Sequence, residues 1–157
     1  MSNRFMNEKW SWYESSHGMR DEALATLTDA DLAFNPGGKN LALGALWREM
    51  GEVEYSYTQS LKTLKQDWNY HNSEVGNTIA GLQAWFKTLD AELKEAIAAF
   101  SDEDLSKTVE RESGYQMPIE FQMDAYLQAM LIFFGKLSVT LKAMDKPLTK
   151  AMQDWVW

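Results

Sequence analysis

Few residues in this chain carry side chains able to do chemistry, and their types narrow what that chemistry could be. Cysteine is absent, which excludes disulfides, thiolate metal sites and a cysteine nucleophile together. The two histidines, His17 and His71, lie far apart, and neither has a second histidine at ligand spacing. No glycine-rich phosphate loop, nucleophile elbow or paired-histidine zinc helix occurs. Carboxylates remain. Glu49 sits one helical step from both Leu46 and Val53, on the shoulder of an apolar stripe, where partial burial would fit it for general acid or base work. Glu120, Asp124 and Gln128 step by four and so share one helix face. If that stripe faced Glu49, then Glu49 with Asp124 or Gln128 would divide acid and base roles. His17 falls in line with Trp10, Tyr13 and Leu24, which predicts an inward ring satisfied by one hydrogen bond. An atypical divalent-metal site drawn from Glu49, Asp124, Gln128 or His17 is a further alternative. Each residue also has a plainer reading: Glu49 paired with a basic residue at a helix margin, the polar stripe as a solvent side, His71 as a solvated loop residue.

These side chains need elements to position them, and the apolar spacing reads as helix almost throughout. A first helix is predicted over residues 5–27, weakened in its middle by Gly18, followed by a loop with one helical turn through Asn35-Pro36-Gly37-Gly38. Leu43, Leu46, Met50, Val53, Tyr57, Leu61 and Leu64 alternate steps of three and four, giving a second helix with Asn40 as its N-cap. Residues 67–77 lose periodicity. A third helix, capped by Thr78 or Asn77, runs over 79–100, and Ser101-Asp102-Glu103-Asp104 opens a short helical turn. Residues 108–110 and 115–117 are placed to pair as a brief hairpin. Pro118 suits the first position of a fourth helix reaching Met144, and a short C-terminal helix closes the chain. The expected fold class is all-α: one domain over residues 1–157, a four-helix bundle with a short C-terminal helix and a small hairpin before the fourth helix. Loop lengths leave the topology open.

Composition agrees with this and removes several function classes. At 157 residues, 45% apolar and 24% charged, the chain suits a single core. Its formal net charge is −8 with no basic stripe, so neither nucleic acid nor an anionic membrane surface is an expected partner. No apolar run approaches the roughly 20 residues of a membrane span, and the N-terminus carries no apolar signal core, so a cytoplasmic location is expected. The apolar excess of the fourth helix, together with Trp155-Val156-Trp157, predicts a homodimer.

Four stretches together resemble the DinB/YfiT-like family of four-helix-bundle proteins, over about residues 19–148. They are Leu27-Thr28-Asp29-Ala30-Asp31-Leu32-Ala33-Phe34-Asn35-Pro36-Gly37, the helical stretch Leu43-Gly44-Ala45-Leu46-Trp47-Arg48-Glu49-Met50-Gly51-Glu52-Val53-Glu54, then Phe100-Ser101-Asp102-Glu103-Asp104-Leu105, and finally Phe133-Phe134-Gly135-Lys136-Leu137 with Lys146-Pro147-Leu148. The resemblance implies a DinB-like bundle. Many members hold a divalent ion with one histidine on the second helix and two on the fourth. The matching positions here are Glu49, Ala129 and Phe133, and Ala and Phe offer no lone-pair donor. The expectation is a member without the metal site and without a cofactor, its central hole filled by Phe133. It would act as a small-molecule-binding or dimeric interaction module. The competing readings are the metal-independent enzyme built on Glu49 with Asp124 or Gln128, and the atypical metal-dependent hydrolase or transferase.

Overall fold

The computed structural model describes residues 3–156, the side chains of Ser113 and Val156 excepted. Among the described residues there are six α-helices and one hairpin, with short 3-10 turns between them: α1 (Arg4–Glu8), α2 (Trp10–Ala25), α3 (Leu43–Thr63), α4 (Ile79–Ala98), β1 (Thr108–Glu110), β2 (Gln116–Pro118), α5 (Ile119–Ala143) and α6 (Lys150–Val156). The all-α bundle with a small hairpin and a short C-terminal helix is therefore the observed architecture. In detail, the first helix is two. It breaks at Lys9, and the offset turns buried Phe5 onto Tyr13 with ring centroids 5.5 Å apart. Asn3 caps α1 by accepting from Met6 N, while its amide donates to the carbonyls of Ile97 and Phe100, each at 2.8 Å. Thr78 caps α4 as its sequence suggested. Asn40 does not cap α3. Ala42 holds that position, and the Asn40 amide instead donates to Gly37 O at 2.8 Å. Pro118 ends β2 and precedes α5 rather than opening it.

Side-chain pairs fix the topology that loop lengths left open. Arg4–Glu120, Lys9–Asp124 and His17–Tyr126 climb both helices together, so α2 and α5 are parallel. Glu14–Lys94 and Arg20–Phe86 run in opposite senses, which sets α2 antiparallel to α4. Gln122–Ser60, Tyr126–Tyr57 and Lys136–Glu49 set α5 antiparallel to α3. Parallel neighbours α3 and α4 need a crossover, and residues 64–78 supply it by running back along α3. Gln66 donates to Ser56 Oγ at 2.6 Å, Tyr70 stacks on Tyr55 at 3.7 Å, Glu52 accepts from Asn72 N at 2.9 Å, and Gly76 lies against Gly44. The stretch without periodicity is thus ordered by α3 rather than by itself. It also joins the hairpin, since Gln66 N donates to Glu110 O and Glu110 N to Leu64 O.

The core holds Leu46, Trp47, Met50, Tyr57 and Leu61 from α3 against Leu82, Phe86, Leu89 and Leu93 from α4 and Met123, Tyr126, Met130, Phe133, Phe134 and Leu137 from α5. Burial of each such side chain stabilises by about 1.5–3 kcal/mol. Helices α3 and α4 approach closely at Gly51, where the Trp85 indole lies across the glycine and a Cβ would overlap the ring. Gly18 on α2 has open space around it. Opposite outcomes are expected from the same substitution. Gly51→Ala should destabilise by about 1–3 kcal/mol through overpacking, and Gly18→Ala should stabilise by about 0.5–1 kcal/mol through helix propensity. Urea unfolding of the two variants checks both signs.

Candidate functional site

The residues singled out in the sequence separate into three places. Glu49 lies on the α3 side of a groove, where its Oε2 accepts from Lys136 Nζ at 3.0 Å. Asp124 faces α2 and pairs with Lys9 at 3.3 Å, and Glu120 pairs with Arg4 at 3.0 Å. Gln128 is exposed. The polar stripe therefore follows the α1–α2 side of α5. The structure does not bring Asp124 or Gln128 to Glu49, so the arrangement needed for shared acid–base work is not formed. His71 is exposed, yet its Nδ1 lies 2.8 Å from Glu52 Oε1, which fixes the crossover.

Around Glu49 the loop after Asn35 and the outer face of α5 enclose a groove of about 570 Å³. Its apolar wall is Leu41, Leu46 and Val139, and its polar groups include Lys39, Asn40 and Lys136. The loop is set by its own chemistry. Asn35 Oδ1 accepts from Gly37 N at 2.7 Å, the Asn35 amide donates to Asn40 O at 3.0 Å, and Gly37 and Gly38 take positive φ of 99° and 62°. Asparagine and glycine are the residues that make such a turn cheap, so Lys39 and Asn40 stand on a preformed rim. A smaller recess of about 130 Å³ adjoins it, lined by Met50, Val53, Ala129, Ile132 and Phe133, with Glu49 and Lys136 common to both.

Glu49, Ala129 and Phe133 do converge on that recess, but as a ligand set they fail. Only Glu49 has a donor atom, and Lys136 occupies it. Phe133 is 4% exposed and sets its ring edge-on to Trp47 at 4.9 Å. A zinc- or nickel-type ion needs three or more such donors at about 2.0–2.3 Å. The residues present do not fit the ion.

The strongest polar cluster lies elsewhere, inside the bundle, and takes a residue from each of its four long helices. Arg20 on α2, fully buried, donates from Nη1 to Glu54 Oε2 on α3 at 2.9 Å and from Nη2 to both carboxylate oxygens of Asp90 on α4 at 2.8 and 3.0 Å. Its guanidinium also lies over the Phe86 ring at 4.1 Å. His17 Nδ1 is 2.9 Å from Asp90 Oδ1, and His17 Nε2 is 2.9 Å from the Tyr126 hydroxyl on α5. Both ring nitrogens of His17 are thus engaged, Nδ1 by Asp90 and Nε2 by the Tyr126 hydroxyl. The inward orientation expected of His17 is correct, but it makes two hydrogen bonds rather than one. Burial pushes the Glu54 carboxyl well above the ordinary range, Arg20 opposing and Asp90 adding to the rise. Asp90 is held far below that range: its own burial works against this, but the His17 hydrogen bond and the Arg20 charge outweigh it. The two carboxyls are thus driven in opposite directions, Glu54 toward the protonated form and Asp90 toward the anion, beside a guanidinium that also donates to Asp21 at 3.0 and 3.1 Å. Glu54 Oε1 is buried and has no hydrogen-bond partner.

His17, Glu54 and Asp90 bring ligand atoms within 4.8 Å of one another, a spacing compatible with a metal. Arg20, however, already lies across both carboxylates, and a divalent ion would add charge beside a buried guanidinium. The guanidinium is the resident cation. Sequence reasoning missed Arg20, Glu54, Asp90 and Tyr126. The available signal was a charged residue standing where an apolar one belongs: Glu54 continues Met50 toward Tyr57 and Leu61, and Arg20 continues Tyr13 and His17 toward Leu24.

The fold is that of a DinB-like helical bundle, and Glu49, Ala129 and Phe133 make no adequate donor set in it. Two of the solved structures with this fold are DinB-like proteins. A DinB-like protein from Bacillus cereus superposes with a TM-score of 0.74 at 14% identity, covering 87% of this chain and 91% of that one. The DinB-like protein YjoA from Bacillus subtilis gives 0.72 at 12% identity, covering 90% and 95%. No protein-family model matches the chain, and no curated protein matches it.

The cluster makes a signed prediction. Arg20→Met takes the guanidinium away from buried Glu54 and from quarter-exposed Asp90 and should cost about 1–3 kcal/mol, while Glu54→Gln, which mimics the neutral acid, should cost less than about 1 kcal/mol. Glu54 has a raised folded-state pKa, so the folded state binds its proton more tightly. Stability should therefore fall as pH rises from about 4.5 toward that raised value. Asp90 acts oppositely, its contribution being lost as pH drops below the ordinary carboxylate range. Urea unfolding across pH 3–8 should show the fall above pH 4.5 in the parent chain and not in Glu54→Gln.

Proposed function

We propose that this chain is a metal-independent binding module of the DinB-like fold, with its ligand seat in the groove between α3, α5 and the 36–41 loop. The observation that carries the reading is the groove itself. About 570 Å³ is within the usual range for small-molecule sites, and the wall combines apolar surface with a few fixed polar groups. The rim is held by hydrogen bonds within the loop, so little ordering is left for binding to supply. The buried Arg20 cluster serves a different end. Neither groove nor recess is lined by its members, and it acts on the register of the four helices. A thermal-shift screen of small organic acids, amines and alcohols, run with chelator present, tests the reading. At least one class should raise Tm, since a ligand at a hundred times its Kd adds about 2.7 kcal/mol. Val139→Trp, which fills the groove, should abolish that rise. A rise that survives Val139→Trp, or no rise with any class, defeats the reading.

A second copy of the chain is the partner favoured by the outer face of α5. Phe121, Ile132 and Val139 are 63%, 62% and 65% exposed. With Ala125, Gln128 and Gly135 between them they step by four and three, the spacing of a helix-pairing seam; Ile132 and Val139 also line the recess and the groove, so a second copy would close over the ligand seat. Trp155 is also half exposed, whereas Trp157 and the Val156 side chain lie outside the described residues. Among the described residues no helix is long and apolar enough to cross a membrane, so this face is not a membrane-spanning surface. Sedimentation velocity at micromolar concentration should show a dimer that Ile132→Lys converts to monomer. A monomeric parent chain would exclude it.

A further inference from the structure

We infer that the groove ligand is an amphipathic organic anion, a carboxylate with an unbranched apolar tail, which seats by taking the place of Glu49 on Lys136. The inference rests on the groove reading above and adds the chemistry of the ligand.

Charge gives the head group. The chain carries a net −8, which repels anions over most of its surface. The groove is a local exception, bringing Lys39 and Lys136 to one site against the single carboxylate of Glu49. Lys136 is engaged by Glu49, while Lys39 has no ion-pair or hydrogen-bond partner among the described residues. An anion here gains charge-assisted hydrogen bonds, and an ammonium group would meet two lysines.

The position of the ion pair gives the route. Glu49 and Lys136 line both the 570 Å³ groove and the 130 Å³ recess, so their 3.0 Å contact stands at the boundary between them. Both side chains are about half exposed, at 42% and 50%, and a solvent-screened pair of this kind contributes little to holding itself closed. An incoming carboxylate can replace that of Glu49 on Lys136, one anion for another, with Glu49 released to water.

The recess gives the tail. Beyond the boundary its lining is Met50, Val53, Ala129, Ile132 and Phe133, which has nothing to hydrogen-bond a polar group and suits hydrocarbon. Leu41, Leu46 and Val139 supply apolar surface on the groove side. One charged head and one slender tail are what this sequence of walls accommodates.

The test uses octanoate, octanol and octylammonium, titrated onto the full chain with chelator present and followed by calorimetry and by amide shifts in two-dimensional NMR. Octanoate should bind, with octanol about tenfold weaker and octylammonium undetectable, and Lys136→Gln should weaken octanoate by about tenfold. Glu49→Gln is the decisive variant: it removes the competing carboxylate and should tighten octanoate severalfold, which a merely greasy surface would not do. These positions are on the surface, so circular dichroism should show the fold unchanged. Octanol binding as tightly as octanoate, or Glu49→Gln leaving octanoate unchanged or weaker, overturns the anion inference and leaves the groove reading standing. If none of the three binds, the anion inference falls, and the thermal-shift screen with Val139→Trp decides the groove reading separately.

Discussion

Everything in this bundle is referred to one guanidinium. Arg20 holds Glu54 and Asp90 at 2.8–3.0 Å, and through Asp90 and His17 it reaches Tyr126. Each partner comes from a different helix, so the cluster closes only when α2, α3, α4 and α5 have the right neighbours and the right vertical register. Apolar packing alone is tolerant of small slips along a helix. A fork of donors aimed at two carboxylates is not, because each misplaced partner leaves a buried polar atom unpaired. Specificity of arrangement, rather than net stability, is what a buried ion network of this kind supplies.

That assignment separates structure from function. The cluster has the ingredients of an active site: an imidazole between a carboxylate and a hydroxyl, and two carboxyls with opposed proton affinities. Arg20, Glu54 and Tyr126 are fully buried, while Asp90 is a quarter exposed and Asp21, which also accepts from Arg20, lies at the surface. The groove has the complementary character, with modest groups, a solvent-screened ion pair and preformed walls.

The recess beside Glu49 follows the same logic. Glu49, Ala129 and Phe133 converge on it with a single donor group among them. Phe133 sets its ring against Trp47, and Lys136 takes the carboxylate that remains. An empty cavity is destabilising in proportion to its volume, and the Phe133 ring fills space there. A residual recess survives beside it and opens toward the groove.

Much of the fold was legible in the chain because it depends on local spacing. The three- and four-residue steps of α3 and α4, the Thr78 cap and the small hairpin are set by side-chain periodicity and by hydrogen bonds within a few residues. The same spacing predicted that His17 faces inward, and the absence of donors at Ala129 and Phe133 could be read directly. What spacing could not give is which faces meet. Glu54 is adjacent in sequence to Val53 and looked like an ordinary polar residue until Arg20, 34 positions away, was placed opposite it. Asp124 looked like a partner for Glu49 because both are carboxylates near apolar stripes, yet α5 turns that stripe toward Lys9. The crossover over 64–78 has no periodicity because its order comes from α3. Sequence alone fixes the helices and the chemistry missing from their inner walls. Only tertiary packing decides which charges are buried together and which remain at the groove, because that depends on the rotation of each helix against three others.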